Sequence, residues 1–349
     1  MKPFARVALP IALIVSLAFT AACTKPPLGT ITVYMWSEYM DPALVERFQK
    51  EAKATVVLDT YENTETMMSK VASASNQYDV VVMSDHAVRS MITTSILGKL
   101  DMARIPNAKN VSARFRNPGY DPDGVYSLPY QWGTMGLIYR KDKLPDFTPS
   151  WAEVFDPAKQ PGPIVLLDSM RDLIGAALFY KGYLPNTRSP EELKSASEAL
   201  GMARTRKLVG FYGSPDSVGK VLSGDAWVGI AYNGDAVSRL DDSTEFVVPE
   251  EGTIIWVDAM TVPAKAPNRA GAHRFIDFIL DGDVGAQLSN YLAYATPNEA
   301  SLPKIDPPIR EDHRVYPTDE QVAKMRLLED VQEATQLYDQ VWTRLKAGQ

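Results

Sequence analysis

The sequence predicts an α/β fold with a mostly parallel sheet and helices on both of its faces. From residue 31 onward, β-branched and aromatic strands alternate with amphipathic helices, which is the pattern of a doubly wound sheet. The chain has 349 residues, of which 45% are hydrophobic. It is therefore long enough for two domains that each bury a core.

The first strand is predicted at the start of residues 31–40, where β-branched and aromatic residues alternate. Asp41 and Pro42 then favour a helix N-terminus, as a cap and a first-turn proline. A second strand is predicted at 55–58, and a second capped helix follows it. Residues 78–83 form a continuous apolar strand of the kind that parallel sheets bury on both faces. This βαβαβ order is the start of a doubly wound sheet.

The rest of the chain continues the alternation of strands and helices. A long loop is predicted over 107–124, and the first crossing between domains near Gly133. The capping-box pattern of residues 318–321 predicts the start of one long terminal helix. The other predicted elements are strands at 135–139, 163–167, 227–232, 244–248 and 253–257, and helices at 173–180, 189–207, 216–222, 270–280 and 283–291.

The first 22 residues differ from the rest of the chain. Lys2 and Arg6 precede a run of almost entirely apolar residues that ends at Cys23. The run is too short for a stable membrane span, so it predicts a cleaved export signal over residues 1–22. The segment from Thr20 to Cys23 resembles the bacterial lipoprotein cleavage box, except that Thr20 stands where leucine is usual.

We therefore expect Cys23 to be lipidated and residues 23–28 to form a short tether at a membrane surface. The protein is then expected in the periplasm, anchored by its lipid. The alternative is an ordinary secretory cleavage that leaves an unmodified thiol. Cys23 is the only cysteine, so an intramolecular disulfide is excluded.

The charge and motif content exclude several classes of function. Loss of the leader removes two basic residues and changes the formal net charge from −7 to −9. Basic residues are not clustered, so nucleic acid is a poor candidate partner and a cationic ligand is a reasonable one. The sequence has no phosphate-binding loop, no dinucleotide fingerprint and no Gly-x-Ser-x-Gly elbow. His86, His273 and His313 are scattered, so neither a metal site nor a cofactor is predicted.

Acidic and aromatic side chains recur where the predicted strands end. In open α/β sheets the carboxyl ends of the strands are where ligands bind. A carboxylate accepts charge-assisted hydrogen bonds from an amine, and an ammonium is attracted to an aromatic face by roughly 0.5 to 2 kcal/mol. The set therefore predicts a site for a polyvalent organic cation. The acids are Glu38, Asp85, Asp168, Asp172, Asp235 and Asp258, and the rings are those of Trp36, Tyr39, Tyr232, Trp256 and Tyr294.

Unpaired carboxylates are costly to desolvate, so such a pocket should stay open to water until its ligand arrives. A cleft that closes between two hinged domains meets this requirement. Each acid taken alone could instead serve as a turn or cap residue. A sugar, an amino-acid derivative or a metal complex is an alternative ligand. An exported glycosidase-like enzyme is a further alternative, because tryptophan platforms and paired carboxylates also suit sugars.

Several spaced motifs occur in one order along residues 29–349. They are Tyr34-Met-Trp-Ser-Glu-Tyr39, Thr60-Tyr-Glu-Asn-Thr-Glu-Thr-Met67, Tyr126-Ser-Leu-Pro-Tyr130 with Trp132-Gly133, Ile255-Trp-Val-Asp258, Tyr294-Ala-Thr-Pro-Asn298 and Leu345-Lys-Ala-Gly348. In these motifs the chain resembles the substrate-binding component of spermidine/putrescine ABC importers. The resemblance implies an α/β, two-lobed type II periplasmic-binding-protein fold with a hinged interdomain cleft. It also implies that the cleft holds a polyamine and that the protein is not an enzyme.

The resemblance also implies individual ligand contacts and three departures from the family pattern. Ser169 stands where spermidine binders often have an aspartate, and Asp85 with His86 replaces a stretch that usually offers a tyrosine. Near Leu328 the family pattern suggests a glutamine that this sequence lacks. The predicted ligand-binding residues are Trp36, Ser37, Glu38, Tyr39, Asp85, His86, Ser169, Asp172, Tyr232, Trp256, Asp258 and Tyr294.

The resemblance implies lobe boundaries and partners as well. The N-terminal lobe is expected to comprise 29–133 and 259–308, and the C-terminal lobe 134–258 and 309–349. The expected partners are a polyamine, the permease and ATPase subunits of an ABC importer, and a membrane through the lipid anchor; the protein itself is expected to be a monomer. Because the candidate acids outnumber the two charges of a diamine, spermidine is expected to bind better than putrescine.

Overall fold

The computed structural model describes residues 28–159 and 162–348. The predicted leader, Cys23 and nearly all of the predicted tether lie outside the described residues. No helix in the two described ranges is long and apolar enough to cross a membrane. The strands of these ranges are β1 Gly29–Trp36, β2 Ala54–Tyr61, β3 Val80–Ser84, β4 Ser127–Arg140, β5 Ile164–Leu167, β6 Leu208–Tyr212, β7 Val228–Tyr232, β8 Thr244–Val247 and β9 Ile255–Thr261.

Helices connect most of these strands, and short 3₁₀ turns occupy much of the long loop before β4. The α-helices of the described ranges are α1 Pro42–Ala52, α2 Thr64–Ala74, α3 Asp85–Thr93, α4 Ala152–Phe155, α5 Met170–Tyr180, α6 Pro190–Arg204, α7 Ser214–Leu222, α8 Asn233–Val237, α9 Arg269–Ile279, α10 Gly282–Leu292, α11 Pro307–Arg310, α12 Asp319–Lys324 and α13 Thr335–Ala347.

The opening elements form where the sequence predicts them. Alternate residues of β1, such as Ile31 and Val33, are fully buried on one face of the sheet. The Asp41 carboxylate caps α1 by accepting a hydrogen bond of 2.8 Å from the Ala43 amide, and Pro42 occupies the first turn. The cap fixes the start of α1, and the short loop between β1 and α1 lies at the carboxyl end of β1.

One path of strands joins both halves of the molecule in the order β2-β1-β3-β9-β4-β7-β5-β6, and β8 pairs with β4 outside this path. The pairs β1–β2, β1–β3, β5–β6 and β5–β7 are parallel, whereas β9 is antiparallel to both β3 and β4. β4 pairs with β9 as far as Thr134 and with β7 from Met135 onward. β4 therefore belongs to both halves of the sheet.

Each half of the sheet is covered by helices on both faces. In the first half, Phe48 of α1 packs with α9 residues on one face, and Met67 of α2 packs with α3 on the other. In the second half, Leu173 of α5 packs with α6 and α13, and Val218 of α7 packs on the opposite face. A smaller cluster around Trp132 lies where the halves meet. Each half thus buries a core on both faces of its part of the sheet, which confirms the predicted α/β fold.

The predicted terminal helix is wrong in detail, and one strand was not predicted. The single terminal helix is interrupted: the Thr318 capping box is present, but α12 ends at Lys324 and α13 begins only at Thr335. Between them Arg326 adopts an extended conformation, because its backbone amide donates to the Thr253 carbonyl and its carbonyl accepts from Ile255. β6 lies within a stretch that the sequence analysis left without a strand.

Candidate binding site

Eleven of the twelve predicted ligand-binding residues line one cavity between the two halves of the sheet. The empty space, including its opening to solvent, is about 800 Å³. Loops that follow β1, β2 and β3 contribute from the first half, and loops that follow β5, β6 and β7 contribute from the second. The eleven are Trp36, Ser37, Tyr39, Asp85, His86, Ser169, Asp172, Tyr232, Trp256, Asp258 and Tyr294.

Asp258 lies on β9 with only 4% of its surface exposed. Its carboxylate accepts a hydrogen bond of 3.0 Å from the Ser84 hydroxyl, which comes from the end of β3. Burial raises the pKa of Asp258 to about 7, and the nearby Asp85 charge adds to the rise. The hydroxyls of Tyr39 and Ser84 partly offset it by favouring the ionised form. An amine that reached this carboxylate would favour that form further.

Asp85 and His86 form the first turn of α3. One Asp85 oxygen accepts a hydrogen bond of 2.6 Å from the His86 amide and lies 3.4 Å from His86 Nδ1. The other oxygen accepts from the Val257 amide of β9 at 3.3 Å. Asp85 is 2% exposed, so its carboxylate fixes α3 against β9 as well as facing the cavity. His86 is the one basic side chain among the described lining residues.

Asp172 presents a carboxylate from the first turn of α5 in the second half. The hydroxyls of Ser169 and Tyr232 both donate hydrogen bonds to the same oxygen, the latter at 3.1 Å. Burial raises the pKa of Asp172, while these two hydroxyls and His86 act in the opposite direction. Asp172 lines the same cavity as His86 of the first half.

Three aromatic rings form a wall beside these acids. The Trp256 ring lies 5.0 Å from the Tyr294 ring and 5.8 Å from the Tyr232 ring, in both cases nearly edge to face. Tyr39 extends the wall, with its ring 5.6 Å from that of Tyr294. Gly133 of β4 permits the close packing, because a Cβ atom there would lie 2.6 Å from the Trp256 ring.

One buried polar group on this wall, the Trp256 indole nitrogen, makes no hydrogen bond within the described residues. A buried polar atom of this kind costs free energy unless it is satisfied, so water or a ligand in the cavity is its natural partner.

Glu38 is the predicted residue that the structure leaves out of the lining. Its side chain is exposed, and its backbone has a φ of 54° in the left-handed region. Ser37 and Tyr39 on either side both reach the cavity. The left-handed turn explains why the residue between them does not.

A different glutamate, Glu62, lines the cavity beside Ser37. Its carboxylate accepts a hydrogen bond from the Ser37 hydroxyl. Glu62 lies inside one of the motifs that carry the family resemblance, but the sequence analysis ended β2 at residue 58. In the structure β2 continues to Tyr61, so Glu62 is the residue directly after a strand. Extending the predicted strand from residue 58 to residue 61 would have placed Glu62 among the acids at strand ends.

Other lining residues were also absent from the predicted set. Asp235 was counted among the acids at strand ends, and its pKa is raised to about 6 by burial. Leu328 reaches the cavity from the extended segment between α12 and α13, which the prediction of one long helix concealed. The remaining lining residues are Ser84, Leu167, Asp168, Gly213, Ser214 and Pro215.

The cavity carries an excess of negative charge. No lysine or arginine is among its described lining residues. Glu62, Asp172, Asp235 and Asp258 make no ion pair within the described ranges, whereas Asp168 is paired with a lysine from α13. No group of three or more His, Cys, Asp or Glu side chains in those ranges is arranged to hold a metal ion. Carboxylates without a protein counter-charge, set beside aromatic rings, can neutralise and enclose an organic cation.

The fold and the cleft together define a solute-binding protein, in which a small ligand lies between two α/β halves. A model of the bacterial extracellular solute-binding proteins matches residues 43–316. The chain therefore belongs to this family, whose members are extracellular.

Named relatives extend over almost the whole chain. The spermidine/putrescine-binding periplasmic protein of Salmonella typhimurium is 32% identical over 91% of this chain and 92% of its own. A putrescine-binding periplasmic protein of Pseudomonas aeruginosa is 32% identical over the full length of both. A solved structure from Listeria monocytogenes, assigned to a spermidine/putrescine ABC transporter, has a TM-score of 0.85 at 31% identity, over 92% of this chain and 99% of its own. The predicted family resemblance is thereby confirmed.

Proposed function

We propose that the protein captures a polyamine in the cleft and delivers it to the permease and ATPase subunits of an ABC importer, without catalysing a reaction. The observation that carries the proposal is the unbalanced charge of the cleft. Carboxylates from both halves face one cavity, and no lysine or arginine among the described lining residues neutralises them. An ammonium group supplies the missing charge, and methylene segments pack on the aromatic wall.

The relatives support this choice of ligand, because their names state spermidine or putrescine. The lining argues against an anionic solute, which would need a cationic side chain to hold it. We propose that the eleven lining residues of the predicted set contact the ligand, together with Glu62 and Asp235. Glu38 then acts at most from outside the cavity.

We further propose that spermidine binds more tightly than putrescine. The four unpaired acids, with Asp85 beside them, exceed the two charges of a diamine. Each additional amine that reaches a carboxylate adds a charge-assisted hydrogen bond. Competition between the two amines on one protein sample measures the order, and a preference for putrescine of more than about tenfold would contradict it.

Isothermal titration calorimetry tests the binding itself. Purified protein is titrated with spermidine and putrescine, and with 1,4-butanediol as an uncharged control of similar length. We expect heat beyond dilution with both amines and none with the diol, because the diol cannot neutralise the acids. Dilution heat alone with both amines would refute the proposed function.

We also propose that Cys23 carries a lipid anchor, so that a monomeric receptor stays at the periplasmic face of a membrane. The apolar run before Cys23 and the cleavage-box pattern support this proposal. Cys23→Ser should abolish incorporation of labelled fatty acid and release the protein into the soluble fraction. The lobe boundaries near residues 133, 258 and 308 remain a proposal, which the change of strand partner within β4 supports.

A further inference from the structure

Asp168 is the acid of the cleft lining that already has a cationic partner. It follows β5 directly, and its amide donates a hydrogen bond of 2.8 Å to the Tyr212 carbonyl. Its carboxylate accepts a hydrogen bond of 2.8 Å from the Lys346 ammonium of α13. The other carboxylates of the lining contact hydroxyls, backbone amides or His86 instead.

Lys346 is held in place by more than this ion pair. Its ammonium lies 4.5 Å from the Phe211 ring and 5.2 Å from the Trp342 ring. Arg204 donates a hydrogen bond to the Leu345 carbonyl and so fixes the end of α13 next to the lysine. The two rings and the fixed helix end orient the ammonium toward the cleft edge without any ligand.

The pair contributes little to the stability of the fold. The side chains of Lys346 and Asp168 are 38% and 43% exposed, and ion pairs between such exposed groups are weak. In the cleft, however, it removes one negative charge from the surface that a cationic ligand meets.

We propose that Lys346 limits the number of positive charges that the cleft accepts, by withholding the Asp168 carboxylate from the ligand. This inference rests on the proposed binding of polyamines. With Asp168 neutralised, a fourth ammonium finds no free carboxylate at this edge. Lys346 is therefore a specificity-determining residue that acts through Asp168 and does not itself line the cavity.

The test compares a triamine with a tetra-amine on matched variants. Wild type, Lys346→Met and Lys304→Met are each titrated with spermidine and with spermine. Lys304 pairs with Asp283 at 2.6 Å, and neither of them lines the cavity, so its loss changes the net charge equally. We expect Lys346→Met to raise the ratio of spermine affinity to spermidine affinity by about two- to fivefold. Lys304→Met should leave the ratio unchanged.

Two further variants connect the effect to the proposed partner. Asp168→Asn in the Lys346→Met background should restore the wild-type ratio, whereas Asp168→Asn alone should lower it, because Lys346 then keeps an unpaired positive charge at the cleft edge. An unchanged ratio in Lys346→Met, an equal shift in Lys304→Met, or a shift that persists without Asp168 would overturn the inference. A large loss of spermidine affinity in the double variant would overturn it as well, because this edge would be as neutral as in the wild type and Asp168 itself would then contact the ligand. If the wild type bound neither amine, the proposed function itself would fail.

Discussion

Asp258→Asn tests the proposed function at a buried carboxylate. Asparagine is nearly isosteric and keeps an oxygen for the Ser84 hydrogen bond, so it removes the charge and little else. Loss of one partner from a buried, hydrogen-bonded charge pair costs about 2 to 5 kcal/mol. Since about 1.4 kcal/mol is tenfold in affinity, we expect the Kd for spermidine to rise between roughly 30-fold and 4,000-fold.

The same substitution should stabilise the empty protein. An aspartate in the unfolded chain ionises at a pKa near 3.8, but the folded state raises the pKa of Asp258 to about 7. Between these values the native state binds more protons than the unfolded state, so stability falls as the pH rises through this window. Asparagine avoids this cost, which at pH 8 is at most on the order of 4 kcal/mol.

Calorimetry at pH 8 measures the affinity, and thermal unfolding without ligand measures the stability. Glu38→Gln is the matched control, because it also neutralises an acid but lies outside the cavity lining. We expect its Kd to stay within about threefold of wild type, as is usual for an exposed charge. Equal losses of affinity in the two variants would refute our assignment of the site.

Three other results are expected. Amine binding should release protons and tighten from pH 6 to pH 8, because the ligand favours the ionised forms of Asp235 and Asp258, whose pKa values are raised to about 6 and about 7. Titration in buffers of different ionisation heat measures the proton release, and titration at each pH measures the Kd. A Kd that is constant over this range would contradict the prediction. Gly133→Ala should displace Trp256, weaken binding about tenfold and lower the free energy of unfolding by about 1 to 3 kcal/mol, as measured by calorimetry and urea denaturation. Gly119→Ala is its control, since a Cβ atom there meets nothing within 4 Å. Glu62→Gln should weaken binding by only about two- to fivefold in the same titration, because its side chain is exposed.

Much of the fold could be predicted because local signals agree with the final packing. The cap and proline before α1, and the apolar run of β3, each specify an element that the tertiary structure keeps. The acids that follow β3, β5 and β7 could be predicted for the same reason: parallel strands present their carboxyl ends at one edge, whatever the details of the loops. Asp258 differs, because the strand predicted to end at residue 257 continues to Thr261 and places Asp258 inside antiparallel β9.

The differences arise where tertiary contacts override local preference. Residues 325–331 contain no proline or glycine to end a helix, but Arg326 pairs with the backbone beside Ile254 and the chain becomes extended. Leu328 enters the cavity for that reason. Glu38 was predicted in the site together with Ser37 and Tyr39, but its left-handed backbone conformation turns its side chain outward. Neither event has a signal in the residue types alone.

β4 passes from one half of the molecule to the other as a single strand, hydrogen-bonded to β9 up to the crossing. Turning one half against the other would therefore flex a ribbon of two paired strands about a defined axis. Empty and loaded receptors would then differ in the angle of that ribbon. A membrane complex that contacted both halves from outside could then distinguish the empty form from the loaded form without contacting the ligand.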